Sequence, residues 1–321
     1  MTIALQEGPV TGVGYYYLEE DVYHADPAPK PSTSAGLLSV MINETAADAF
    51  AAHPKLNPPE EEEDNAKYDL GTVAHTMLLN EGKEIVVLDA ADYRKKDTQQ
   101  QRDDAIQAGK QPCLIHVYEK ASAMVHAARN QLADDKMNFD AFTNGTPEVS
   151  GFAKIQTENG KIWARNRIDW LMDDKVRIYD YKTWQMNPEP EDFIKYLIRE
   201  GRDIQSPHYA AVCAAIEAAT TGEDIDWDAF TFRFVVQHAK PPYTLSVIEY
   251  DSRMAEFSFD RWKWAIEKWA RCGKAGRFPG YAPTTHYVSA PAWAEQQWMQ
   301  RVEQDAAAEA FMNGGRDNGQ N

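Results

Sequence analysis

Two short strings carry the residue types that hydrolysis of a phosphate ester requires. Ile168-Asp169 and Tyr179-Asp180-Tyr181-Lys182 place two carboxylates eleven residues apart, with a lysine two positions beyond the second. Asp173-Asp174 lies between them and signals a turn. The strings therefore read as neighbouring antiparallel strands, about 4.8 Å apart, whose carboxylates converge on one ion. A hard divalent cation such as Mg²⁺ takes oxygen ligands. One or two protein carboxylates suffice, because water and phosphate fill the remaining positions. Side chains at i and i+2 share a strand face, so Lys182 projects beside Asp180. An ammonium group there orients a water and offsets charge on an attacked phosphate.

Two further residues belong to the same reading. Glu148 heads the strand before Asp169 and offers another carboxylate. His75 lies on the helix Gly71-Thr-Val-Ala-His75, as an additional metal ligand or a phosphate contact. Each has a plainer alternative. A single histidine on a half-apolar helix is more often a core or surface residue, and a glutamate opening a strand is usually solvated. An aspartate near a turn usually turns the backbone. A D-x-K tripeptide alone is a weak signal. Weight comes from the order: G-x-x-x-H on a helix, then Glu148, Asp169 and D-x-K on successive strands, then a helix with Gln205 and Tyr209.

The elements that position these residues follow from pattern. Val149–Thr157, Lys161–Met172 and Val176–Tyr181 read as three strands of a meander, the first turn marked by Asn159-Gly160. Glu84–Asp89, Phe230–Gln237 and Thr244–Tyr250 read as further strands. Apolar residues at helical spacing predict helices over 37–50, from Tyr68 to a stop at Gly82, and over 114–132, 191–200, 206–219 and 253–274. Phe259, Trp262, Ile266 and Trp269 recur on one face of the last and read as core rather than a base-stacking surface. Residues 54–64 form a proline- and acid-rich break, and 92–111 give no strong signal. The organisation expected is an irregular leader over 1–31, one α/β domain over 32–303, and a frayed tail over 304–321.

Composition narrows the class. The 321 residues carry a net charge of -17, which argues against coating nucleic acid with the whole surface. The charge is segregated. Residues 151–202 hold ten basic and nine acidic side chains, for +1, and the rest of the chain carries -18. Three widely spaced cysteines, Cys113, Cys213 and Cys272, make neither a disulfide framework nor a four-cysteine cluster. No apolar run of about 18 residues predicts a membrane span. The start of the chain lacks a secretory pattern, so a cytoplasmic location is expected.

The ordered set resembles the PD-(D/E)xK nuclease superfamily, and within it the RecE-type, exonuclease VIII-like phage enzymes. The likeness spans about residues 20–295 and rests on Gly71-Thr-Val-Ala-His75 with Met77-Leu-Leu79, Pro147-Glu-Val-Ser150, Arg167-Ile-Asp169, Tyr179-Asp-Tyr-Lys-Thr183 and Gln205-Ser-Pro-His-Tyr209. Phe234–Tyr243, with its Lys-Pro-Pro-Tyr, and Phe278-Pro-Gly-Tyr281 resemble segments more specific to that branch. Pro207 departs from the branch's usual helix former and fits a helix's first turn.

The resemblance implies a restriction-endonuclease-like core, a central mixed sheet flanked by helices. It implies Mg²⁺, with Mn²⁺ as a substitute, held by Asp169 and Asp180 with His75 and the Tyr181 carbonyl as further ligands. Lys182 would activate the water, and Glu148 would be an acidic site residue. Gln205 and Tyr209 would orient the site or contact DNA. Arg165 and Arg167 would point to the phosphate or alternate with the Ile168 face. Trp184 would contact DNA or pack, with equal weight. The implied reaction is 5′→3′ digestion of linear double-stranded DNA, leaving 3′ single strands for an annealing protein, by a homo-oligomeric ring. The alternatives are a RecB- or Cas4-like repair nuclease and a catalytically silent DNA-binding relative. The Cas4-like iron–sulfur cluster needs four cysteines, which this chain lacks.

Overall fold

The computed structural model describes residues 5–6, 8–58 and 70–314, in two compact units, Met1–Gly280 and Tyr281–Asn321. The first unit runs β1 (Gly14–Tyr17), α1 (Glu20–His24), β2 (Ser32–Thr33), α2 (Ala35–Asn43), α3 (Ala46–Ala51), α4 (Leu70–Leu79), β3 (Ile85–Leu88), α5 (Lys96–Gln107), β4 (Gln111–Leu114) and α6 (Ile115–Ala133). It continues with β5 (Gly145–Thr157), β6 (Gly160–Met172), β7 (Arg177–Trp184), α7 (Pro190–Arg199), α8 (Gln205–Thr221), β8 (Thr231–His238), β9 (Leu245–Glu249) and α9 (Ser252–Ala275). The second unit holds α10 (Ala292–Gly314). Tyr68 and Asp69 of the expected helix, residues 59–64 of the proline- and acid-rich break and the last seven residues lie outside the described ones.

The main sheet has the order β1-β5-β6-β7-β8-β9, with β2 added alongside β6. It is mixed and flanked by helices, as the α/β expectation requires. β5 and β6 form a long antiparallel ladder from Gly145↔Met172 to Thr157↔Gly160. Gly160 closes the hairpin at φ +112°, a conformation that costs a side chain dearly and glycine little. The meander then departs from expectation. β6 and β7 pair only at Trp170↔Tyr179 and Leu171↔Ile178. The opposite edge of β7 runs parallel to β8 along its whole length, and the other end of β6 takes β2 at Ser32↔Trp163 and Thr33↔Ala164. The sheet therefore forks between β6 and β7.

The core is layered on both faces. Leu38, Met41, Phe193, Ile204, Phe234, Trp262, Ile266 and Trp269 fill one side. Val73, Leu78, Leu79, Met124, Val125 and Tyr179 fill the other. Burying each large apolar side chain contributes roughly 1.5–3 kcal/mol. The stripe on α9 is core, as its spacing predicted. On β6, Ala164, Ile168 and Leu171 face the first layer, whereas Trp170 and Met172 face the second. A strict two-residue alternation would put Trp170 on the Ile168 face. The alternation slips by one residue across Asp169.

Several expectations are corrected. The leader is not irregular throughout. Gly14–Tyr17 pairs antiparallel with β5, and Tyr15 and Tyr16 are buried. The single helix over 37–50 is two, because Thr45 and Asp48 form a reciprocal capping box that starts α3 anew. The weak stretch 92–111 holds α5, and β4 follows it parallel to β3. Residues 304–314 continue α10 instead of fraying.

Candidate active site

The fork leaves backbone groups of β7 without a strand partner, and side chains take over. The Tyr181 N–H donates to Asp169 Oδ2 at 2.8 Å. That bond replaces the missing ladder and pins Asp169 beside β7. Asp180 and Lys182 share a face of β7, and the Lys182 ammonium sits directly against Asp180 Oδ1. Gln205, the first residue of α8, donates to Asp180 Oδ2 at 2.7 Å. A polar cleft of about 1360 Å³ opens over this group and takes in His75, Glu148, Arg167, Gln205 and Tyr209.

The opposite side of the fork comes from α4 and β5. His75 Nε2 lies 3.2 Å from Asp169 Oδ2, and its Nδ1 lies 3.6 Å from Glu148 Oε1. Arg167 Nε holds Glu148 Oε2 at 2.6 Å and donates from its terminal nitrogen to the Leu18 carbonyl at 2.9 Å. Glu148 itself has φ +52°, uncommon for a residue with a side chain, and the β5–β6 ladder skips it. Strained backbone of this kind collects at functional sites, where surrounding contacts over-determine it.

Electrostatics separate the five acidic and basic groups. Burial pushes Asp180 up to about 6, against the pull of Lys182, and the Asp169 charge adds to the rise. Burial also raises Asp169, but His75, Lys182 and the Tyr181 N–H outweigh it and hold that carboxyl below its usual range. Glu148 is raised, first by burial and then by Asp169, with Arg167 opposing. Burial works against the charged forms of His75 and Lys182, yet the carboxylates win, and both are raised. Lys182 is therefore held as an ammonium. Arg202, exposed at the start of the turn before α8, contributes positive potential beside it.

Among the described residues no three His, Cys, Asp or Glu side chains form a ready-made metal cage. The donor set still fits a hard cation. Asp169 and Asp180 each use Oδ2 for a neutral N–H donor. Two carboxylates on opposite sides of a fork, with His75 adjacent, match what Mg²⁺ needs when water and phosphate complete its shell.

The remaining candidates are placed as follows. Arg165 is 4% exposed and spends its guanidinium inside, donating to the Ser32 carbonyl and hydroxyl at 2.8 Å and pairing with Asp26 at 3.4 Å. It does not reach out to a phosphate. Trp184 packs edge-on against Phe193 and Tyr196 with its indole N–H buried, the packing alternative of the two that its position left open. Tyr209 lines the cleft, and its ring packs on Phe232. Sequence reading missed Arg202 and the Leu18 carbonyl, and a main-chain acceptor has no signal in residue type.

Residues 47–314 match the family described as the PD-(D/E)XK nuclease superfamily. The chain belongs to that superfamily. Among solved structures it is similar to a protein of Eubacterium rectale described as a "Putative exonuclease", at 13% identity and a TM-score of 0.52, over 86% of this chain and 96% of that one. At that identity the likeness is one of fold. Weaker similarity extends to SSO0001, at 12% identity and TM-score 0.26 over 61% of this chain and 84% of that one. Rai1 of Scheffersomyces stipitis follows at 11% identity and TM-score 0.24, over 80% and 74%. No curated protein sequence matches the chain. The superfamily makes this a nuclease fold.

Proposed function

We propose that the protein is a Mg²⁺-dependent exodeoxyribonuclease that digests linear double-stranded DNA from its 5′ ends and leaves 3′ single strands. The observation that carries this reading is the fork, where Asp169, Asp180 and Lys182 meet at the floor of one polar cleft. The ordered motifs of the RecE-type branch support the finer assignment, and so does the exonuclease description of the Eubacterium rectale protein.

Asp169 and Asp180 would hold the cation, with His75 and the Tyr181 carbonyl as further donors. The cation would polarise the phosphate and lower the pKa of a bound water. Gln205 fixes the Asp180 carboxylate, and the Tyr181 N–H fixes that of Asp169. Lys182, held protonated, orients the water and stabilises the charge that develops on phosphate. His75 and Arg167 hold the Asp169 and Glu148 side chains in place. Arg165 acts as a structural tie. The product, a 3′ single strand, is the substrate of an annealing protein, and a homo-oligomeric ring would keep the enzyme on its DNA.

The test is digestion of linear duplex labelled separately at its 5′ and 3′ ends, with Mg²⁺, with Mn²⁺ and with EDTA. Release of the 5′ label first, abolished by EDTA, is the expected result. Release of the 3′ label first overturns the polarity. No cleavage with either metal overturns the enzyme reading in favour of a silent DNA-binding relative.

A further inference from the structure

The cleft has two walls. One is the arm that leaves β1, through Tyr17, Leu18, Glu19, Glu20 and Asp21. The other is α4 with the loop after it, through Gly71, His75, Thr76, Glu81 and Lys83. These walls come from segments 64 residues apart, yet the Tyr17 hydroxyl donates to Glu81 Oε1 at 2.7 Å. Both residues line the cleft. The arm is anchored just beside this bond. Tyr17 pairs with Val149, the neighbour of Glu148, and the next carbonyl, Leu18, accepts from Arg167. The bond is thus tied through Arg167 to the acidic side of the active site.

From this geometry we propose that the Tyr17–Glu81 bond is a clasp that joins the two cleft walls, so that a DNA strand enters by its end and not sideways. This rests on the nuclease reading above and adds the reason that a free end is required. A continuous strand cannot pass a closed junction between walls, whereas a terminus can thread beneath it toward Asp169 and Asp180, which line the same cleft. Charge works in the same direction. Glu19, Glu20 and Asp21 are exposed on the arm just past Tyr17 and oppose a phosphate backbone running beyond the clasp. The bond is charge-assisted, and donating it to the Glu81 carboxylate is the main reason the Tyr17 phenol is pushed up to about 12.

The experiment opens and then locks the clasp in the full chain with Mg²⁺. The substrates are a closed circular duplex, a closed single-stranded circle and the same DNA made linear. Tyr17→Phe keeps the ring and removes the donor, and Glu81→Gln removes the charge. Nicking of the closed circles should rise about tenfold or more over wild type, the size expected from losing a hydrogen bond to a charged group. Linear digestion should continue in both variants. For the lock, Tyr17→Cys and Glu81→Cys are bridged with a short bis-maleimide. The three native cysteines are buried and leave the reagent to the new pair. The locked protein should still digest linear DNA.

Circles that stay intact with both single variants, while linear DNA is cut, overturn the clasp and assign the end requirement to something else, such as a ring. So does a locked protein that has lost linear digestion while its unbridged form keeps it. Wild-type protein that cuts neither form of DNA sinks the nuclease reading and the clasp with it, which separates the two failures.

Discussion

Two clusters in this molecule use nearly the same residues for opposite ends. In the cleft, Asp169, Glu148, His75, Arg167 and Lys182 meet at the fork. Beneath the arm, Asp26, His53 and Arg165 meet around Ser32. In the second cluster the Ser32 N–H and hydroxyl both donate to Asp26, at 2.9 and 2.6 Å. His53 Nε2 lies 3.1 Å from the Ser32 carbonyl and 3.5 Å from Asp26, and its ring stacks on Trp269. The His53 and Asp26 side chains are fully buried. The two histidines respond in opposite directions. Burial lowers His53 despite Asp26, with Arg165 reinforcing it. Two carboxylates overcome burial at His75 and raise it. An Asp–His–Arg set is therefore not a site by composition. It becomes one where the sheet opens, the groups keep a path to solvent, and like charges are held close enough to need a cation.

The contrast is sharpest at Lys182. Lys182→Ala should reduce phosphodiester cleavage about 10²–10³-fold, the usual cost of removing one preorganised group that stabilises transition-state charge. Its melting temperature should stay close to wild type, because the ammonium is about a third exposed and leaves Asp180 still bonded to Gln205. An activity loss matched by unfolding would show that Lys182 is structural. Asp26→Ala should do the reverse. Removing one partner strands the buried Arg165 guanidinium, at a cost of about 3–5 kcal/mol in stability. Urea unfolding measures this. Cleavage per folded molecule, read well below the transition, should change little. A stable Asp26→Ala protein with lost activity would put that cluster in the mechanism and erase the distinction.

Much of this was legible in the sequence, for physical reasons. Asp169, Asp180 and Lys182 lie within one hairpin-scale stretch, where a turn signal and period-two spacing determine who meets whom. Gly160 and the α9 stripe were readable because local conformation and 3.6-residue periodicity write themselves into residue types. The fork was not. Whether β7 pairs with β6 for two residues or eight depends on β2, which takes the other end of the β6 edge from about 130 residues away, while β8 holds the opposite edge of β7. The same limit hid the edge strand β1. It also left the direction of Arg165 open, because its partners Asp26 and Ser32 lie in a stretch that proline content marks as irregular. Trp184 follows Lys182 closely, but helix α7 claims its ring. Long-range competition, which spacing cannot express, decided all four.

The smallest effect expected is in pH dependence, and it tests the buried histidines directly. His208 is buried against α9, where the Trp262 indole N–H donates to its Nδ1 at 3.1 Å. Nε2 must then carry the proton and donate to the Arg165 carbonyl at 2.9 Å. Both ring nitrogens are satisfied only in the neutral form, and burial pulls the group down to about 4. His53 moves the same way. A histidine depressed in the folded state contributes stability above its unfolded value of about 6.5. That contribution is lost as pH falls, because the unfolded chain takes up a proton that the folded chain refuses. For His208 the loss spans pH 6.5 to about 4, at up to about 1.4 kcal/mol per pH unit. Imidazole NMR should show His208 neutral at pH 5.5 and His53 titrating below the free value, with stability falling from pH 7 to pH 5. Resonances for both that titrate near 6.5, with a flat stability profile, would mean that these interior histidines reach water. The difference between the open cluster and the closed one would then be a matter of degree.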